Sequence, residues 1–179
     1  LKIFGLDGEL QTLERLEPTT SKRNLGVMLA PLEDERAHYD FVAKKAKAWA
    51  EQVRGGYLKR YDVIPLIKST ILKTLEYPSA LTTLSYKQWS DIMSPVLQVC
   101  LPKAGICRSF TQDFIYAPLK FQGLGIPHPF VTQMYHHLEM LLRHPANKTQ
   151  PSRYLEGLLQ AHQLETGTSF GLFQQNYEN

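Results

Sequence analysis

After Pro31 the apolar residues recur at three- and four-residue steps, and glycine or proline stops each run. A set of packed amphipathic helices satisfies that pattern. Glu33-Asp34-Glu35 puts negative charge where a helix dipole favours it. Val42, Ala46, Trp49, Ala50 and Val53 then share one face, opposite Asp40, Lys44, Lys47, Glu51 and Arg54, until Gly55-Gly56. Asp40 with Lys44 and Lys47 with Glu51 are spaced as i,i+4 pairs. A second helix is predicted from about 62 to 75, with Asp62 as N-cap and Pro65 in its first turn. Its buried stripe is Ile64, Ile67, Ile71, Leu72 and Leu75, and Pro78 ends or kinks it. Ser85-x-x-Gln88 is a capping box for a third helix, with Trp89, Met93, Val96, Leu97 and Cys100 inward. Pro95 predicts a kink there, and Gly105 a stop. Residues 108–127 read as irregular. A fourth helix follows Pro129, with Val131, Met134, Leu138, Leu141 and Leu142 expected inward. A fifth spans about 152–164, before Gly167 and a Gln/Asn-rich tail expected to fray.

The opening is different. Residues 2–6 and 11–16 alternate apolar and polar around Asp7-Gly8, a hairpin signal, and residues 25–29 read as a third strand. So small a sheet needs something to dock on. The expected fold is mainly α: a helical bundle with a small N-terminal antiparallel β-hairpin or sheet.

A net charge of +3 does not by itself mark a nucleic-acid binder, but its placement is uneven. Lys44, Lys45, Lys47, Arg54, Lys59, Arg60, Lys68 and Lys73 crowd the middle against Glu51 and Asp62. That stretch is compatible with phosphate contact, but on charge alone a solvated surface is the favoured reading. No leader and no apolar run of membrane length is present, and the missing initiator Met suggests a piece of a longer protein. Cys100 and Cys107 form neither a disulfide framework nor a metal spacing, so the chain reads as intracellular and reduced.

Chemistry-bearing clusters are scarce. His136-His137, Glu139 and His144 lack the His-Glu-x-x-His spacing, and adjacent histidines point to different sides of a helix, so a polar helix face is the better reading. There is no nucleophile elbow and no Asp-Asp pair to hold two metal ions. Gly123-Leu124-Gly125 lacks the further elements of a phosphate loop and reads as a tight connector. Trp49 and Trp89 fall on apolar stripes and are expected in the core. Tyr57, Tyr61 and Tyr77, among basic residues at helix ends, are expected at its rim.

The ordered set of short signals resembles the C-terminal part of a reverse transcriptase from a non-LTR-type retroelement. Lys22-Arg23-Asn24-Leu25-Gly26-Val27 resembles the family's Leu-Gly-hydrophobic hairpin after the catalytic palm motif. Lys47-Ala48-Trp49, Tyr77-Pro78, Thr83-Leu84-Ser85 with Pro95, Gly105-Ile106-Cys107-Arg108, and Pro118 with Gly123-Leu124-Gly125 and Gln133 follow in the family's order. The likeness spans about residues 1–144. It implies a primer grip at Leu25, Gly26 and Val27, within residues 1–31 as the end of the palm. It implies a thumb-like bundle over 32–105, an additional helical region over 106–167 and a frayed tail over 168–179. Lys44, Lys47 and Arg54 would meet the phosphates of an RNA/DNA template–primer duplex. The paired catalytic aspartates of this RNA-directed DNA polymerase are absent, so the segment is expected to be inactive alone. It would carry no catalytic residue, metal or cofactor, with Mg in the missing palm, and would work with the palm and fingers of the same polyprotein. The alternative is a stand-alone helical protein-interaction domain.

Overall fold

A computed structural model describes residues 2–4, 9–12, 17–18, 20–30, 32, 34–143 and 149–167. The molecule is mainly helical, with two small antiparallel hairpins at its start. β1 (Lys2–Phe4) pairs with β2 (Leu10–Thr12), and β3 (Lys22–Asn24) pairs with β4 (Val27–Leu29). The helices are α1 (Arg36–Gly55), α2 (Val63–Ser69), α3 (Ile71–Ser79), α4 (Tyr86–Lys103), α5 (Gln112–Tyr116), α6 (Pro129–Arg143) and α7 (Gln150–Thr166). No helix among the described residues is long and apolar enough to cross a membrane. The expected turn at Asp7-Gly8, the end of the second predicted strand and the tail after Gly167 lie outside the described residues.

α4 is the central helix, buried over most of its circumference from Trp89 to Leu101. α1 lies along it through Val42, Ala46, Ala50 and Val53. Two alanines on that face bring the backbones close, while Trp49 packs half-buried at the edge of the core and not inside it. The capping box forms as expected: Ser85 Oγ accepts from Gln88 N at 3.3 Å and Gln88 Oε1 from Ser85 N at 2.7 Å. α4 ends in a Schellman motif, with Ile106 N donating to Leu101 O and Gly105 N, at φ +74°, to Pro102 O.

Several expectations are corrected. Residues 25–29 are not one strand. Leu25 and Gly26 form the two-residue loop of the β3–β4 hairpin, both at positive φ (46° and 91°), a type I′ geometry. The second predicted helix divides at Thr70, where the backbone departs to φ −115° and ψ −79° while Thr70 N and Oγ1 both still donate to Leu66 O. Of the two predicted i,i+4 pairs on α1, neither forms; Glu51 pairs with Arg54 at 3.0 Å. The irregular segment contains the short α5 and a 3-10 turn. Tyr57 and Tyr61 are almost fully exposed.

The largest correction concerns α6. Its buried positions are Pro129 and Gln133, and Val131, Met134, Leu138 and Leu142 face outward. The helix docks on α3 and α4 through the polar side of its pattern. Gln133 accepts from Trp89 Nε1 at 2.8 Å and donates to Leu84 O at 3.0 Å. His136 sits between Glu76 of α3 and Glu139, at 3.5 and 3.6 Å. Ile115 and Ile126 join the same core as α1–α4, with Phe130 packed against it, so residues up to the start of α6 share one hydrophobic centre.

Two buried histidines, His38 and His128, each accept a backbone N–H on Nδ1, from Met28 at 3.2 Å and Phe130 at 3.1 Å. Accepting there requires an unprotonated Nδ1. Burial holds both rings below the ordinary value of 6.5; for His38, Glu35 opposes that shift and Lys45 adds to it. The unfolded chain therefore takes up these protons first. Their contribution to stability is complete above pH 6.5 and is lost as pH falls through the folded values. Urea midpoints are expected to fall between pH 7.5 and 5, and less steeply in the variant His38→Asn/His128→Asn, whose amide oxygens accept without titrating.

Candidate nucleic-acid interface

The β3–β4 hairpin is docked on the start of α1. Val27 is buried, and the Met28–His38 hydrogen bond ties β4 to the helix. Leu25 projects from the tip, 82% exposed. Leucine at positive φ costs about 1–2 kcal/mol relative to glycine, so the loop holds an apolar side chain in water at a conformational cost. Gly26 faces α3: a Cβ there would stand 3.5 Å from the Tyr77 ring.

Between hairpin, α1 and α3 lies a groove of about 200 Å³, lined among others by Gly26, Phe41, Lys45, Thr74, Tyr77 and Pro78. Phe41 carries two cations on its ring, Lys45 Nζ at 4.7 Å and the Arg23 guanidinium at 5.2 Å from the centroid. The groove thus combines aromatic surface, two positive charges and an exposed tyrosine, a composition suited to stacking and phosphate contact.

A separate set of cations stands on another face of α1, with Lys44 about 100° and Lys47 about 160° around the helix axis from the groove residue Lys45. Lys44 and Lys47 are exposed and have no ion-pair partner among the described residues. Arg54 shares their face, partly neutralised by Glu51. Ten residues of helix separate Lys44 from Arg54, about 15 Å. Of the sequence-predicted site, Gly26 lines the groove with Leu25 beside it at the hairpin tip, Val27 anchors the hairpin, and Lys44, Lys47 and Arg54 lie together on another face of α1, outside the groove. Lys45, Phe41 and Tyr77 were not singled out together, because only the fold brings residues 41, 45 and 77 side by side.

Part of the basic middle has structural work. Arg60 Nε donates to Ala104 O at 2.8 Å, at the C-terminus of α4, and Lys103 Nζ donates to Gly56 O at 2.8 Å, at the end of α1. Cations favour helix C-termini, where carbonyls lack intrahelical donors. Lys73 is paired with Glu76 at 2.6 Å. Among the described residues no three of His, Cys, Asp and Glu converge as a metal site. No known protein family, curated protein or solved structure matches this chain.

Proposed function

We propose that this chain is the template–primer gripping part of a retroelement RNA-directed DNA polymerase, the end of the palm with its primer-grip hairpin followed by the thumb, and that it is inactive without the catalytic aspartates held elsewhere. What supports the reading most is one juxtaposition: the strained hairpin loop Leu25-Gly26 beside a groove lined by Phe41 and Lys45, with the Arg23 guanidinium over the Phe41 ring. Lys44 and Lys47 add exposed positive charge on another face of α1. A clamp that must hold any sequence reads backbone and shape, and a set of cations with an apolar tip does so. Magnesium would belong to the palm and would contribute no ligand here.

The test is binding of an RNA–DNA hybrid duplex to the purified chain across a salt series, followed by fluorescence anisotropy. Affinity is expected to fall with salt, and Lys44→Ala and Lys47→Ala should each lower the slope by about 1. Arg54→Ala should lower it less, because Glu51 already shares its charge. Leu25→Asn creates the Asn-Gly pair that a type I′ turn prefers, and should stabilise the fold by about 1 kcal/mol. The same variant should weaken duplex binding with the salt slope unchanged. Absence of binding at low salt would defeat the proposal and favour the second reading, a helical protein-interaction domain, for which the uncovered apolar face of α6 speaks.

A further inference from the structure

The outer face of α6 is unusual for a helix exposed to water. Val131, Met134, Tyr135, Leu138 and Leu142 are exposed by 63, 39, 62, 58 and 65%. At 100° per residue they fall within a strip about 100° wide. From Val131 to Leu142 the strip is about 16 Å long. Val131, its first residue, also lines a cleft of about 300 Å³ together with Tyr86, Gln112, Asp113, Tyr116 and His128. The Tyr86 ring stacks on His128 with centroids 4.5 Å apart and planes 6° from parallel, and Tyr116 meets His128 edge-on. Asp113 is exposed with no ion-pair partner among the described residues, and neither lysine nor arginine lines the cleft. Aromatic walls with one free carboxylate favour a cationic guest, a guanidinium above all.

α7 has the complementary features. Among the residues of α7 only Ser152, in its first turn, is buried, and Tyr154 and Leu158 are exposed by 67 and 68% on one face. Arg153 adjoins that face, exposed and without an ion-pair partner among the described residues. Within one chain Arg153 does not line that cleft and pairs with no carboxylate among the described residues, so cleft and arginine are each left for a second copy to meet.

We infer that the chain forms a two-fold dimer in which α7 of each copy lies along the outer face of α6 of the other, with Tyr154 and Leu158 on the Val131–Leu142 strip and Arg153 in the Tyr86–Tyr116–Asp113 cleft. Such an interface is isologous, each contact occurring twice. It covers both apolar faces and supplies the cleft with a cation. The inference is independent of duplex binding, since neither α6 nor α7 contributes to the groove or to the α1 cations.

Sedimentation velocity of the full chain over a concentration series tests it. A monomer–dimer equilibrium is expected. Leu138→Glu should abolish the dimer. Asp113→Lys and Arg153→Glu should each weaken it roughly tenfold, and the double exchange Asp113→Lys/Arg153→Glu should recover most of the loss. Circular dichroism should show all four variants folded, since every substituted side chain is exposed. A chain that is monomeric throughout overturns the inference. So does a dimer indifferent to Leu138→Glu, or one in which the charge exchange brings no recovery, since another surface or partner would then be meant for α6.

Discussion

Trp89→Ala is expected to cost about 3–5 kcal/mol, the range for removing a fully buried large aromatic. Trp89 is wholly buried in the first turn of α4, and its indole N–H is the donor to Gln133 Oε1. Truncation opens a cavity and leaves that oxygen only the long 3.5 Å bond from the Thr82 hydroxyl. Gln133 also donates to Leu84 O and lies 3.5 Å from Thr82 Oγ1, so the loss spreads to the segment that leads into α4. Typical domains have only about 5–15 kcal/mol in total. Urea unfolding followed by circular dichroism should show the midpoint collapse. Trp89→Phe keeps most of the apolar volume and should cost less, chiefly about 1–3 kcal/mol for the amide oxygen that loses its indole donor. Combining Trp89→Phe with Gln133→Leu should cost less than the sum of the two, because each single change removes the other residue's partner. Additive losses would show that the indole–amide bond is not what couples α4 to α6.

Gly123→Ala is expected to destabilise the fold by about 1–3 kcal/mol, as overpacking of a buried site does. A Cβ at Gly123 would drive into the carbonyl group of Ala117, which is backbone and cannot swing aside. The Gly-Leu-Gly connector lies against residues 114–117: Leu124 N donates to Phe114 O at 3.0 Å and Gly125 N to Ala117 O at 2.8 Å. Those bonds place Ile126 in the core and His128 at the start of α6. Thermal melts should show a lower midpoint for the variant. An unchanged midpoint would mean that the connector shifts freely and does not hold α6 in place.

The local elements were readable because their causes are local. Ser85 and Gln88 cap α4 through side chains three residues apart, and Gly105 stops it through a conformation that leucine or valine would resist. The same holds for the exposed cations of α1, which follow from helical spacing alone. The break at Thr70 was missed because periodicity over 64–75 registers apolar faces and is blind to a departure of the backbone at one residue. The Leu25-Gly26 turn was missed because leucine at positive φ breaks the usual residue preference, a departure that itself marks the tip as a site of interest.

By itself the sequence determined that this chain is mainly helical, where most of its helices begin and end, and which of their faces are apolar, since capping, breaking and 3.6-residue periodicity act within a few residues. Only the tertiary structure decided what each face meets. Trp49 was left at the rim, Gln133 was drawn into the core by the Trp89 indole, and the strip from Val131 to Leu142 was turned to solvent. Periodicity says that a face is apolar; which surface covers it depends on chain segments far apart in sequence.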